Sequence, residues 1–347
     1  MVYGKGRGMD GKEPSMNEKR VKKSDGSEAR QRGLVLCFIT SYPPNRARLS
    51  EYAYNLLKKL AELPTISKVY VLADKASEPR TNRSSKIEIR PVWSHDNPIS
   101  IFKILFEVLK VKPDLVHYNV HFQSFGRSRI ANFIGLSLPF FTRLLGRKVI
   151  VTIHNFGEKV DLEKCGLKPS IINRIGIKLA TKLISMANLV TVTVYSYIKY
   201  LKRNYRCDQV VYIPHGTYVN AFETGSNPDP PNKKKTILMF GHMAPYKGLT
   251  ILMDVFQDIS KEREDVELVI AGDDHPNFPG YLESQKRDMP RVRYLGYVPE
   301  EEVPLVFKDA FMVVLPYLTT TGTSGVFHLA CGFGKPIIVS DLPEIRE

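Results

Sequence analysis

From Leu34 onward, short β-branched apolar runs alternate with longer stretches whose apolar residues recur every three or four positions. LVLCFIT (34–40), VYVLA (69–73), LVHY (115–118), KVIVTI (148–153), LVTVTV (189–194) and VVYI (210–213) have the length and apolar continuity of strands buried on both faces. Between them, 49–63, 100–111, 129–145 and 171–187 carry helical periodicity. Such alternation predicts a parallel sheet with helices on both faces. The pattern then breaks at ETGSNPDPPNKKK (223–235), which has no aliphatic or aromatic residue and reads as a linker. A second series follows: TILMFG (236–241), VELVIA (266–271), RVRYLG (291–296), FMVVLP (311–316) and PIIVS (336–340). The expectation is an α/β chain with two doubly wound domains, 34–222 and 236–347, facing a cleft lined by strand carboxyl ends. A helix is predicted to begin at Leu342, and on that expectation the second domain reads as incomplete.

Composition narrows the class. With 43% hydrophobic and 25% charged residues, a wholly disordered, collagenous or disulfide-framework protein is excluded. The four cysteines are far apart, with no C-x-x-C pair for zinc or redox chemistry, so a reducing, cytoplasmic setting is expected. The net charge of +14 favours anionic partners. Residues 1–33 carry nine basic and five acidic side chains and read as a flexible basic tail, without the apolar core of a signal peptide. The uncharged stretch between Arg129 and Arg143 is too short to span a bilayer and contains Pro139. Arg127, Arg129, Arg143, Arg147 and Lys148 frame it, and no acidic residue occurs from Leu115 to Gly157. Two readings stand: a buried helix of an α/β domain, or an interfacial segment docking peripherally on the anionic inner face of a membrane. Nucleic acid is not an expected partner, since no known module interleaves aromatic and basic residues here.

Three segments carry chemistry. In FGHMAPYKGLTILMDVF (240–256) a strand ends at Gly241 and a helix is predicted to begin near Lys247. A lysine in a helix's first turn suits a phosphate group. In PYLTTTGTSGVFHLACGFGKPIIVSD (316–341), small and hydroxyl residues precede a helix capped by Ser324, a setting for close backbone approach to a ligand. In RVRYLGYVPEEEV (291–303) a strand turns at Gly296-Tyr297, and Glu300 to Glu302 are expected to cap the next helix. His117 and His121 could be a metal pair but lack a third ligand, which favours core and rim roles; His328 is expected to pack within its helix.

Together these segments resemble the nucleotide-sugar half of retaining GT-B glycosyltransferases, the large family 4 called glycosyl transferases group 1. Gly241, Lys247-Gly248, Gly272, Gly296-Tyr297-Val298 and Gly334-Lys335-Pro336 fall in the family's order and spacing. SYPPN (41–45), DLVHYN (114–119), VTIHN (151–155) and VVYIPHG (210–216) look like its first-domain loops and strands. The resemblance implies two Rossmann-like domains and transfer of a sugar from a UDP- or GDP-linked donor, with retention of anomeric configuration and no metal. The nucleotide-sugar is then a substrate, and no cofactor is needed. It further implies catalytic roles for Lys247 and His154, the latter facing the donor sugar. The diphosphate would be held by His242, Lys247, Thr323, Ser324, Gly325 and Val326. Gly272, Gly296, Tyr297 and Val298 would border the base or ribose, Thr321 and Gly322 would form the donor-sugar loop, and Asn45 and Arg46 the acceptor-side loop. The acceptor would be a sugar, a lipid-linked molecule or a small molecule, in polysaccharide or glycolipid synthesis.

The chain departs from the family pattern in two places within these segments. His242 replaces an arginine, making one diphosphate charge conditional on protonation, and Thr321 and Leu329 stand where the family has two glutamates. The alternative reading is a non-catalytic subunit of the same fold that binds a membrane or partner protein.

Overall fold

The computed structural model describes residues 33–45, 49–76, 85–159, 163, 170–217, 234–320 and 322–347. The basic tail, Arg46, Thr321 and nearly all of the 223–235 linker lie outside the described residues. The first half contains β1 (Leu34–Ile39), α1 (Ser50–Glu62), β2 (Ile66–Asp74), β3 (Ile87–Trp93), α2 (Pro98–Val111), β4 (Leu115–Val120) and α3 (Arg129–Leu144). It continues with β5 (Lys148–Ile153), α4 (Ile171–Ile184), β6 (Leu189–Val192), α5 (Ser196–Tyr205) and β7 (Val210–Tyr212). The second half has β8 (Lys235–Phe240), α6 (Leu249–Glu262), β9 (Val266–Ala271), α7 (Tyr281–Gln285), β10 (Val292–Gly296), α8 (Val303–Asp309), β11 (Ala310–Leu315), α9 (Gly325–Gly332) and β12 (Ile337–Val339).

Two sheets result, of orders β3-β2-β1-β4-β5-β6-β7 and β10-β9-β8-β11-β12. Every strand pairing is parallel. Both orders run outward from a first strand, then reverse, as doubly wound sheets do. The helices start where local chemistry dictates. Asn97, Ser128, Ser170 and Ser324 each accept a backbone N–H at the head of α2, α3, α4 and α9. Two packed layers form the first-half core, with α1 on one face of its sheet and α2 to α5 on the other.

Several expectations need correction. β3 lacks the apolar signature of the other strands because IEIRPVW mixes charges with Pro91; it is an edge strand, where a missing N–H is tolerated. The linker's last residue, Lys235, already belongs to β8. No helix begins at Lys247: a 3-10 turn spans Pro245–Lys247, and α6 begins after Gly248. Glu300 to Glu302 do not cap α8, whose N-cap Glu302 makes no side-chain cap bond and whose first turn holds no acid. Helix α3 is buried on one face only, so the fully buried reading holds for half of its surface. Gly135, Leu136, Leu138 and Pro139 are buried, while Ile130, Phe141 and Leu144 are exposed. Among the described residues no helix is long and apolar enough to cross a membrane.

Candidate active site between two switch points

In the second sheet the strand order reverses between β8 and β11, and their carboxyl ends define a switch point where such sheets bind ligands. Glycines shape it. The Gly241 N–H donates to the Ala271 carbonyl at 2.9 Å and the Gly272 N–H to that of Gly296 at 2.6 Å, drawing three strand ends into one rim. Gly272 sits at φ +130°, and a Cβ there would stand 2.1 Å from the Gly241 oxygen. Gly248, at φ +73°, lies so close to the loop leaving β11 that a Cβ would stand 1.9 Å from the Pro316 oxygen.

That seating fixes Lys247. Its ammonium lies 3.7 Å from the centroid of the buried Tyr317 ring, a cation–π contact. The Tyr317 hydroxyl is 3.4 Å from Ser324 Oγ, which accepts the Phe327 N–H at 3.3 Å and caps α9 as expected. The first-turn N–H groups of Gly325 and Val326 have no intrahelical acceptor. Val326 leans over the end of β8, with Cγ2 3.2 Å from where a Gly241 Cβ would be. Lys247, Ser324, Gly325 and Val326 are therefore brought to one switch point, with His242 next to Gly241 in the chain. Tyr297 is exposed beside the Gly296 turn, whereas the Val298 side chain is buried in the second-half core, which leaves its backbone as the part that could face a ligand. Leu329 also packs against that core.

The first half has its own switch point, between β1 and β4. Here the groups are neutral side chains bonded to one another. Asn119 donates through Nδ2 to Thr40 Oγ1 at 3.0 Å, and its Oδ1 lies 2.7 Å from His154 Nε2. With Oδ1 as acceptor, Nε2 carries the imidazole proton and Nδ1 is left as an acceptor. Burial, reinforced by neighbouring histidines, holds the His154 pKa well below its ordinary value, so the ring is neutral. A small recess beside this chain is lined by Thr40, Ser41, Trp93, Asn119, His121 and Phe125. The buried Trp93 indole N–H, at its wall, has no partner among the described residues. Asn45, assigned to the acceptor loop, is tied down by its donation to Asp74 Oδ1 at 2.7 Å, which makes it a loop anchor.

The two switch points meet. A Cβ on Gly322 would stand 2.2 Å from the His154 carbonyl oxygen, so the loop preceding α9 presses directly on the end of β5. Alongside, His215, which follows β7, stacks on His328 of α9 with centroids 4.8 Å apart and planes 12° from parallel. Thr323 Oγ1 lies 2.7 Å from His328 Nε2. Tyr52 of α1 contacts both His154 (4.6 Å) and His215 (5.2 Å). His328 was expected only to pack in its helix; it bridges the halves instead, with its pKa lowered to about 4 by burial and by His215. Sequence reasoning missed Tyr52, Asn119 and His215. Each lies at a strand end or helix start on the cleft side, a signal that position in the α/β alternation could have supplied.

His117 and His121 do not pair. His117 Nε2 bonds to Thr152 Oγ1 at 2.7 Å beneath Phe38, and His121 Nδ1 accepts the Gln123 N–H at 3.0 Å. Among the described residues no group of three His, Cys, Asp or Glu is placed to hold a metal.

Residues 234–347 match the family model described as glycosyl transferases group 1. The chain is 27% identical over 138 residues to the phosphatidyl-myo-inositol mannosyltransferase of Mycobacterium tuberculosis H37Rv, over 39% of this chain and 36% of that enzyme. The Mycobacterium leprae enzyme of the same name is 27% identical over 139 residues, with the same coverage. The match thus spans about a third of the length of these relatives. Among solved structures, Anabaena HepE in complex with UDP and glucose superposes with a TM-score of 0.62 at 14% identity, over 89% of this chain and 81% of that one. Sucrose-phosphate synthase from Thermosynechococcus elongatus gives 0.65 at 16% identity, over 89% and 82%. In sequence over residues 234–347, and in its GT-B fold over both halves, the chain resembles the glycosyl transferases group 1.

Proposed function

We propose that this chain is a glycosyltransferase that moves a sugar from a UDP- or GDP-linked donor to an acceptor, with retention of configuration and without a metal. The observation that carries the reading is the meeting of the two switch points at Gly322 and His154. It sets a polyanion-binding end against a neutral, hydroxyl-binding one. In this reading Lys247 and the Gly325 and Val326 N–H groups stabilise the diphosphate as its charge grows in the transition state. Neutral His154 accepts a hydrogen bond from a donor-sugar hydroxyl at Nδ1, held in register by Asn119. The acceptor approaches from the first-half side of the cleft, and a donor phosphate oxygen helps remove the acceptor proton. We assign residues 34–222 to the acceptor side and 236–347 to the nucleotide side.

Support comes from the UDP complex of the structural neighbour and from the mannosyltransferase name of the relatives, which also favours a lipid-linked acceptor. The test incubates the protein with UDP-glucose or GDP-mannose, with and without candidate acceptors, and measures nucleoside diphosphate release. Acceptor-dependent release supports transfer. Nucleotide binding without release under any acceptor would favour the non-catalytic reading, which one observation motivates: Leu329 is committed to the core where the resemblance expects a carboxylate.

A further inference from the structure

Outside the cleft, the exposed apolar side chains of α3 and α4 stand among basic residues with no acid on either helix, whereas α2, which also exposes Ile99, Phe102 and Phe106, carries Glu107. Helices α3 and α4 follow parallel strands, pack against each other and lie on the same side of the sheet. Their inner faces supply core residues such as Leu136, Leu138, Ala180 and Ile184. On the outer face of α4, Ile172, Ile175 and Leu179 are 70%, 61% and 48% exposed at helical spacing. On α3, Ile130 is 65% exposed at the start and Leu144 67% at the end. The Arg143 guanidinium donates to the Met186 carbonyl, which ties the end of α3 to the segment just after α4. An apolar surface shared by neighbouring helices marks an interaction site.

Charge identifies the partner. Arg174, Lys178 and Lys182 alternate with the isoleucines and leucine on exposed positions of α4, and Arg129 and Arg143 do so on α3. No Asp or Glu occurs in 115–157 or in 164–207, so nothing on either helix offsets these cations. Two copies of this chain would set like charge against like charge, which disfavours self-association. A bilayer with anionic headgroups satisfies both features at once. The aliphatic side chains enter the acyl boundary, and the long basic side chains extend to the phosphates around them. We infer that the outer face of α3 and α4 docks the protein on an anionic membrane surface, without crossing it. Docking is independent of the proposed transfer reaction.

The test is co-sedimentation of the full chain with vesicles of phosphatidylcholine alone or with phosphatidylglycerol at roughly a third of the lipid, at low and at 0.5 M salt. Binding should require the anionic lipid and weaken in salt. Lys178→Glu/Lys182→Glu should lower the partition coefficient by roughly tenfold or more. Ile175→Ser/Leu179→Ser should lower it as well, with unchanged melting temperature because both positions are on the outer face. Every variant keeps the basic residues of 1–33, so variants that sediment like the wild type would assign binding to that tail and overturn the proposal. Absence of binding to anionic vesicles, or equal binding to neutral ones, would overturn it too. Since the readout involves no sugar transfer, a negative result here leaves the proposed activity standing, and the reverse also holds.

Discussion

The two switch points solve opposite problems with opposite materials. In the second half, backbone does the shaping: Gly241, Gly248 and Gly272 allow chain segments to approach where no side chain fits, and one lysine is fixed on an aromatic ring. In the first half, side chains do it: Thr40, Asn119 and His154 are buried, neutral and bonded in a row. Exposed N–H groups and a permanent cation suit a ligand whose charge is fixed or growing. A desolvated chain of neutral groups suits hydroxyls, which need direction more than charge. The contrast implies that mutations in the second half act on nucleotide affinity and rate, whereas those in the first half act on which sugar or acceptor is accepted.

The sharpest way to break that contrast is through the glycines. Gly248→Ala adds a Cβ that meets the Pro316 carbonyl at a positive φ, so the loops at β8 and β11 must separate. It should cost roughly 3 kcal/mol of stability or more and abolish nucleotide binding, read by urea unfolding and calorimetric titration. Lys247→Ala should keep the fold and cost roughly 2–4 kcal/mol of transition-state stabilisation, seen as a loss in kcat/KM for the donor. His154→Ala leaves the Asn119 oxygen without its donor, at a cost of about 1–3 kcal/mol in stability. Its larger signature should be altered discrimination between donor sugars at nearly unchanged affinity for the free nucleoside diphosphate. Equal loss of nucleotide affinity in His154→Ala and Lys247→Ala would erase the distinction between the two sites.

A smaller effect concerns pH. His117 and His328 are held at about 4 and His154 well below its ordinary value, chiefly by burial. The unfolded chain binds their protons near pH 6.5, whereas the folded chain does not. Their contribution is therefore fully present above pH 6.5 and is lost as pH falls from there toward 4. Melting temperature should decline by several degrees, roughly, across that window. A flat profile between pH 6.5 and 4 would show that these rings are not held neutral.

Much of this architecture can be read before any coordinates. The strand runs from Leu34 to Ile213 and from Thr236 to Ser340 are continuous in β-branched residues because both sheet faces are covered. β3 escaped because an edge strand does not need that signature. The second-half site was legible because glycine and lysine positions in short loops are local. Ser324 could be named as a cap from sequence because its partner is three residues away. The first-half site was not legible beyond His154. Asn119 matters through a residue 35 positions later, and the His215–His328 stack joins residues that only the apposition of the halves brings together. Val298 and Asn45 show what motif position alone does not reveal: the Val298 side chain packs in the core and Asn45 anchors its loop on Asp74.

The central claim is that the β8–β11 switch point holds a nucleoside diphosphate through Lys247 and the start of α9. Isothermal titration of the wild type and of Lys247→Ala with UDP and with GDP tests it most directly. The account predicts saturable binding of at least one of them, with Kd raised by roughly tenfold or more in Lys247→Ala at unchanged melting temperature. Binding of neither nucleotide, or equal affinity in the two proteins, would contradict it.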